Sequence, residues 1–134
     1  MTNNKRIGSN AERFYAKYFR MLGFKSCRTS REESKVLDSS GIDFTNIPFN
    51  IQLKYGFQKH LNYSKELFDI DNKINLNIDK NNPYYNKPVV IIHRKKVGKG
   101  FKRTKYDDLA VMTVETLTRL MMIYYENNRK QKYN

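Results

Sequence analysis

A chain of 134 residues and 16.0 kDa is one domain's worth of sequence, long enough to bury a single hydrophobic core. No stretch approaches the roughly 20 apolar residues of a membrane span, and the first ten residues hold no apolar leader, so a soluble, cytoplasmic protein is expected; the single cysteine, Cys27, excludes an intrachain disulfide and a cysteine-built zinc site. Lys and Arg number 26 against 13 Asp and Glu, and the net charge of +13 points to a polyanionic partner: nucleic acid first, a membrane surface second, with a merely solvated Lys- and Asn-rich surface as the plain alternative.

The first expected element is a helix over about 10–22. Ala11, Phe14, Tyr15, Tyr18, Phe19 and Leu22 recur at helical spacing, Ser9 suits an N-cap with Glu12 as its capping-box partner, and Gly23 suits a stop. Residues 24–36 read as a strand running into a polar loop, and Ser39, Ser40 and Gly41 as a turn. A hairpin follows, with strands at 42–45 and 49–55 around a turn at 46–48. Alternation puts Ile42 and Phe44 on one face and Asp43 on the other; in the second strand Ile51, Leu53 and Tyr55 oppose Asn50, Gln52 and Lys54. A tight turn centred on Ile47 and Pro48 sets Asp43 across from Gln52, on the same face.

Residues 60–75 are expected to be helical, followed by an Asn-rich loop to Pro83. PVVIIHR, 88–94, is a continuous β-branched run and reads as a buried strand. A basic loop at 95–105, a partner strand at 108–114 and a helix at 115–127 complete the domain, with 128–134 as a basic, flexible tail. The order α, β, β, β, α, β, β, α predicts an α/β fold: one domain over 1–134, with a mixed central sheet flanked by helices.

Asp43, Gln52 and Lys54 form the constellation with chemical content. Hard divalent cations such as Mg²⁺ take oxygen ligands, and Asp43 offers a carboxylate, Gln52 an amide oxygen and Leu53 a backbone carbonyl. Lys54, on the face of Gln52, is placed to orient or deprotonate a water or to neutralise a phosphate, which suits metal-assisted phosphodiester hydrolysis. Glu12 lies at the edge of the apolar stripe and points toward the sheet; the capping box with Ser9 is its competing role. Lys95, Lys96, Lys99, Lys102, Arg103 and Lys105 read as a phosphate-gripping arm, against the alternative of a solvated hairpin tip. His60 is placed to contact phosphate, His93 reads as a structural or rim residue, and Asp107 and Asp108 as the start of a strand. VGKG is too short for a P-loop, and no base-reading motif is present, so shape is the expected basis of recognition.

The order of Glu12 in the first helix, Cys27-Arg28, Ser40-Gly41, Ile42-Asp43 and Gln52-Leu53-Lys54, with PVVIIHRK and LAVMTVETLTRLM downstream, resembles the PD-(D/E)xK nucleases, above all the Holliday junction resolvases of archaea and phages. The likeness covers most of the chain; each motif is short, and their order and spacing give it weight. It implies a restriction-endonuclease-like core with Glu12, Asp43, Gln52 and Lys54 as the catalytic residues. By the same resemblance Glu12, Asp43, Gln52 and the Leu53 carbonyl hold Mg²⁺, with Mn²⁺ as a substitute, Lys54 positions the attacking water, and the product carries a 5′-phosphate. Arg28 and Ser40 match positions near the DNA backbone. The protein that the resemblance implies is a homodimer cutting four-way junctions, encoded by a phage and acting in the cytoplasm of a bacterial host. Two departures stand out: Ile42 replaces a proline, and Gln52 stands where most members carry Glu, which removes a full negative charge. The alternatives are a related nuclease acting on nicked, flapped or duplex DNA, and a non-cleaving DNA-structure binder with a degenerate nuclease fold. Membrane association through the amphipathic C-terminal helix is the remotest. Convergence of Glu12 and Asp43 with Gln52 favours cleavage, whereas Glu12 folded back on the Ser9 amide favours binding alone.

Overall fold

Three segments of the chain become strands in the structure, a computed structural model that describes residues 2–56 and 61–133: β1 at Asn50–Tyr55, β2 at Val89–Arg94 and β3 at Asp108–Val111. The apolar, β-branched β2 takes the centre, with β1 parallel on one side and β3 antiparallel on the other. A parallel pair needs a long crossover, and between β1 and β2 it contains a helix. The helices are α1 at Thr2–Met21, α2 at Ser30–Glu33, α3 at Lys35–Ser39, α4 at Tyr63–Asn77 and α5 at Val114–Tyr133. This is an α/β fold with a mixed sheet flanked by helices, as expected, but among the described residues the sheet has three strands where the sequence suggested five.

Strand alternation divides the core in two. Ile51 and Val90 join Tyr15 and Ala16 of α1, with Cys27, Phe44 and Ile47, while Leu53 and Ile92 pack at its margin. Ile91 points the other way, onto Leu67, Ile70 and Ile74 of α4 and onto Leu37 and Ile42. Cys27 is a fully buried core residue. Phe44, fully buried, contributes on the order of 2 kcal/mol by removing its ring from water. In the β1–β2 register Gln52 stands beside Ile91 and Lys54 beside His93, so both polar side chains leave the sheet on the α4 face.

The differences from the sequence reading have local causes. α1 begins at Thr2, so Ser9 lies inside the helix and no capping box forms with Glu12. Residues 24–45 contain no regular strand; a single bridge joins Thr29 to Phe44, framed by Ser30 N–H to the Asp43 carbonyl and Thr45 N–H to the Arg28 carbonyl, both 2.9 Å. The polar stretch between them winds into α2 and α3, the latter capped by the Ser34 hydroxyl on Leu37 N–H. β3 stops early because Thr113 caps α5 through Thr116 N–H at 3.1 Å. The basic tail continues α5 to Tyr133, in keeping with the good helix formers Glu126, Arg129 and Lys130.

Candidate active site

Asp43 reaches β1 from the segment after α3. Its N–H donates to the Ile51 carbonyl at 2.8 Å, and its Oδ2 accepts the Leu53 N–H at 2.7 Å. Asp43 therefore docks along the free edge of β1 rather than pairing across from Gln52 in a hairpin ladder. Within an extended residue N–H and C=O leave the strand on the same side, so the Leu53 carbonyl also faces that edge. Asp43 Oδ1 makes no hydrogen bond among the described residues.

Gln52 is held by the turn that precedes Asp43. Gly41 has φ +80°, and a Cβ there would stand 3.0 Å from Gln52 Nε2, so the turn both needs and uses a glycine. The amide oxygen of Gln52 is buried and has no hydrogen-bond partner among the described residues. A buried polar oxygen left unpaired costs about 1–3 kcal/mol; Ser30 Oγ and Asn50 Oδ1 are in the same state, and Gln52 differs from them in standing next to Leu53, the residue that bonds Asp43.

A network of charges surrounds the pair. Glu12 is 6% exposed, and its Oε2 lies 3.2 Å from Arg31 Nε, while Arg31 Nη1 donates to the Ser9 hydroxyl at 3.2 Å. Glu12 has thus turned to α2 and not back onto the Ser9 amide. Burial raises its carboxyl above the ordinary range, Arg31 opposes that, and Asp38 adds to it. Burial likewise pushes Asp43 up to about 7; the Leu53 N–H opposes the rise, Glu12 and Asp38 add to it, and Arg31 lowers it. Asp43 is consequently poised to ionise near neutrality.

Lys54 Nζ lies 3.2 Å from Glu66 Oε2 of α4, which anchors the ammonium on the Gln52 face. Beside it His93 is buried, with the Tyr63 hydroxyl 2.7 Å from Nδ1 and the Gly56 carbonyl 3.1 Å from Nε2. The carbonyl only accepts, so His93 donates to it from Nε2, and bonds at both ring nitrogens fix the ring in the fold.

Asp43, the Gln52 amide oxygen and the Leu53 carbonyl are donors of the kind Mg²⁺ accepts, one carboxylate and two neutral oxygens. The residues fit a hard cation on that count. Glu12 is engaged by Arg31 instead, and among the described residues no three Asp, Glu, His or Cys side chains group closely enough to hold an ion.

Of the remaining expected contacts, Arg28 points its guanidinium at the Lys25 and Cys27 carbonyls and borders a surface cleft. Ser40 is fully buried and donates to the Val36 carbonyl at 2.8 Å; it closes α3 and meets no phosphate, a correction to the expected backbone contact. In the basic loop Lys96, Lys99, Lys102 and Lys105 are exposed, whereas Lys95 is half-buried. Arg103 is tied to Asp108 at 2.8 Å and to the Lys95 carbonyl at 2.7 Å, so it braces the loop. Asp108 opens β3 as expected, whereas Asp107, also read as the start of the strand, instead closes a capping box with Thr104 in the turn at Lys105–Asp107. His60 lies outside the described residues. Sequence reasoning missed Arg31, Asp38 and Glu66, which reach the site from separate helices and carry no local motif.

Comparison with protein-family models, with curated proteins and with solved structures returns no match for this chain. Among the described residues no helix is long and apolar enough to cross a membrane.

Proposed function

We propose that the protein is a metal-dependent endonuclease that hydrolyses DNA phosphodiester bonds, with four-way junctions as its first-choice substrate. The observation that carries this reading is that neighbouring residues of β1 hold an acid poised to ionise near pH 7, bonded by the Leu53 N–H, and present the buried Gln52 amide oxygen, which has no hydrogen-bond partner among the described residues. The +13 net charge supports a nucleic-acid substrate.

Asp43, Gln52 and the Leu53 carbonyl would hold Mg²⁺, which would supply Lewis-acid chemistry for phosphodiester hydrolysis. The chain does the rest. Leu53 N–H fixes the Asp43 carboxylate against the strand, so its free oxygen keeps one direction. Gly41 leaves the space that seats the Gln52 amide. Lys54, steadied by Glu66, donates from the same strand face to the attacking water or to the scissile phosphate. Glu12 tunes Asp43 by its charge, and displacing Arg31 frees it as a further oxygen ligand. Homodimerisation, which paired incisions require, belongs to this reading; the exposed Leu117, Met121 and Tyr124 of α5 offer a surface for it.

A second reading is favoured by the Glu12–Arg31 ion pair: with one acid already satisfied, the chain binds branched DNA and does not cut it. Cleavage in Mg²⁺ and binding in chelator, measured on one labelled junction, separate the two. Asp43→Asn and Lys54→Ala are expected to keep binding and lose cleavage; full activity in either removes the assigned site.

A further inference from the structure

Arg20 and Arg28 converge on one acceptor. Arg20 Nη1 donates to the Cys27 carbonyl at 2.9 Å, and Arg28 Nη1 donates to the same oxygen at 2.8 Å. Arg28 is fixed further by a 3.2 Å bond to the Lys25 carbonyl. Two guanidiniums side by side repel each other, yet among the described residues no carboxylate stands within 4.0 Å of either. They border an open cleft of about 490 Å³ whose wall also carries Arg13 and Lys17, with Glu32 as its single acid. Arg13, Lys17 and Arg20 fall at i, i+4 and i+7 and so share one face of α1. Arg13 and Lys17 are exposed and make no side-chain bond among the described residues.

The cleft adjoins the candidate site through the backbone. Thr29, in its lining, bridges to Phe44, the residue after Asp43, and the next residue, Ser30, donates its N–H to the Asp43 carbonyl. We propose that this cleft binds the phosphate backbone of the nucleic acid, as a second grip separate from the 95–105 loop, and leads the strand toward Asp43. The inference rests on the nucleic-acid reading above and names the path the substrate takes. Guanidiniums suit phosphate because their forked donors match two of its oxygens, and forks already aimed by carbonyl bonds lose less freedom on binding. An anion between them also relieves their repulsion, since among the described residues no carboxylate is paired with either guanidinium.

The test is equilibrium binding of a fluorescent four-way junction, in chelator, from 50 to 200 mM salt. Three proteins are compared: the full chain, the double variant Arg13→Gln/Lys17→Gln, and a charge-matched control, Lys65→Gln/Lys73→Gln, on exposed positions of α4. The cleft variant is expected to bind at least about tenfold more weakly and to lose about 2 from the salt slope, with the control near the unaltered protein. Equal losses in variant and control reduce the effect to net charge and overturn the cleft. Unchanged binding by the cleft variant also overturns it and leaves the nuclease reading standing. Loss of binding by the cleft variant, with no cleavage by the unaltered protein in Mg²⁺, keeps the cleft and removes the nuclease. Adsorption of the unaltered protein to phosphatidylserine vesicles with no DNA binding overturns the proposal in favour of a membrane.

Discussion

Leu53 N–H donates to Asp43 Oδ2 at 2.7 Å, bonding an acid to a strand ten residues further along the chain. The bond partly compensates a carboxylate that burial makes costly, but burial wins: the group ionises at about 7 rather than at its ordinary 3.8. A folded-state value above the unfolded one means that the folded protein holds the proton more tightly. Stability from this group is therefore complete below about pH 4 and is lost as pH rises through 7.

Asp43→Asn removes that penalty and keeps an oxygen for Leu53. In chelator the variant should gain on the order of 2–4 kcal/mol over the unaltered protein at pH 8, and little at pH 4. Urea unfolding at the two pH values measures this. An equal effect at both contradicts the buried-acid account. At subsaturating Mg²⁺ the same ionisation predicts that metal binding, and cleavage with it, strengthens as pH rises toward 7, because the metal must displace the Asp43 proton.

Gly41→Ala should cost about 1–3 kcal/mol, because it meets both a left-handed φ and Gln52 Nε2 at 3.0 Å. Gly100→Ala is the comparison, since its φ of +88° imposes the backbone strain with nothing near its Cβ. Thermal unfolding should place Gly41→Ala below Gly100→Ala, and Mg²⁺ should stabilise the former less than the unaltered protein. Equal melting temperatures for the two variants contradict the seating of Gln52 by this turn.

Gln52→Glu puts a second carboxylate beside Asp43. In chelator it should lower the melting temperature, since like charges are forced together. In millimolar Mg²⁺ it should gain more stabilisation than the unaltered protein, by mass action on a tighter site. A Mg²⁺ response identical in both proteins means that residue 52 is no ligand.

Lys54→Ala breaks a half-buried ion pair with Glu66 and should cost less than about 1 kcal/mol. Its effect on cleavage should be far larger, a loss of about 100-fold or more. Calorimetry beside a single-turnover assay compares the two; a rate that falls only in step with folding contradicts a catalytic role.

The parts of the fold that repeat locally were legible. The β-branched run of β2 and the alternation placing Gln52 and Lys54 on one face appear in the structure, and of the α1 stripe Ala11, Tyr15 and Phe19 turn inward while Phe14, Tyr18 and Leu22 are exposed. What failed depends on distant partners. Residues 24–45 are stabilised by Thr29–Phe44, Ser30–Asp43 and Asp43–Leu53 contacts, none of which has a periodic signature. The Glu12 capping box was a local match that an earlier helix start overrode. Arg31 and Glu66 sit on α2 and α4, so pairing them with Glu12 and Lys54 required the fold itself.

The central claim is tested most directly by incubating the protein with a synthetic four-way junction beside a matched linear duplex, in Mg²⁺ and in chelator. The account predicts paired incisions in the junction that leave 5′-phosphates, appear only with Mg²⁺, and vanish in Asp43→Asn. Tight junction binding without incision, in Mg²⁺ and in Mn²⁺ alike, would contradict it and leave a binder of DNA structure in place of a nuclease.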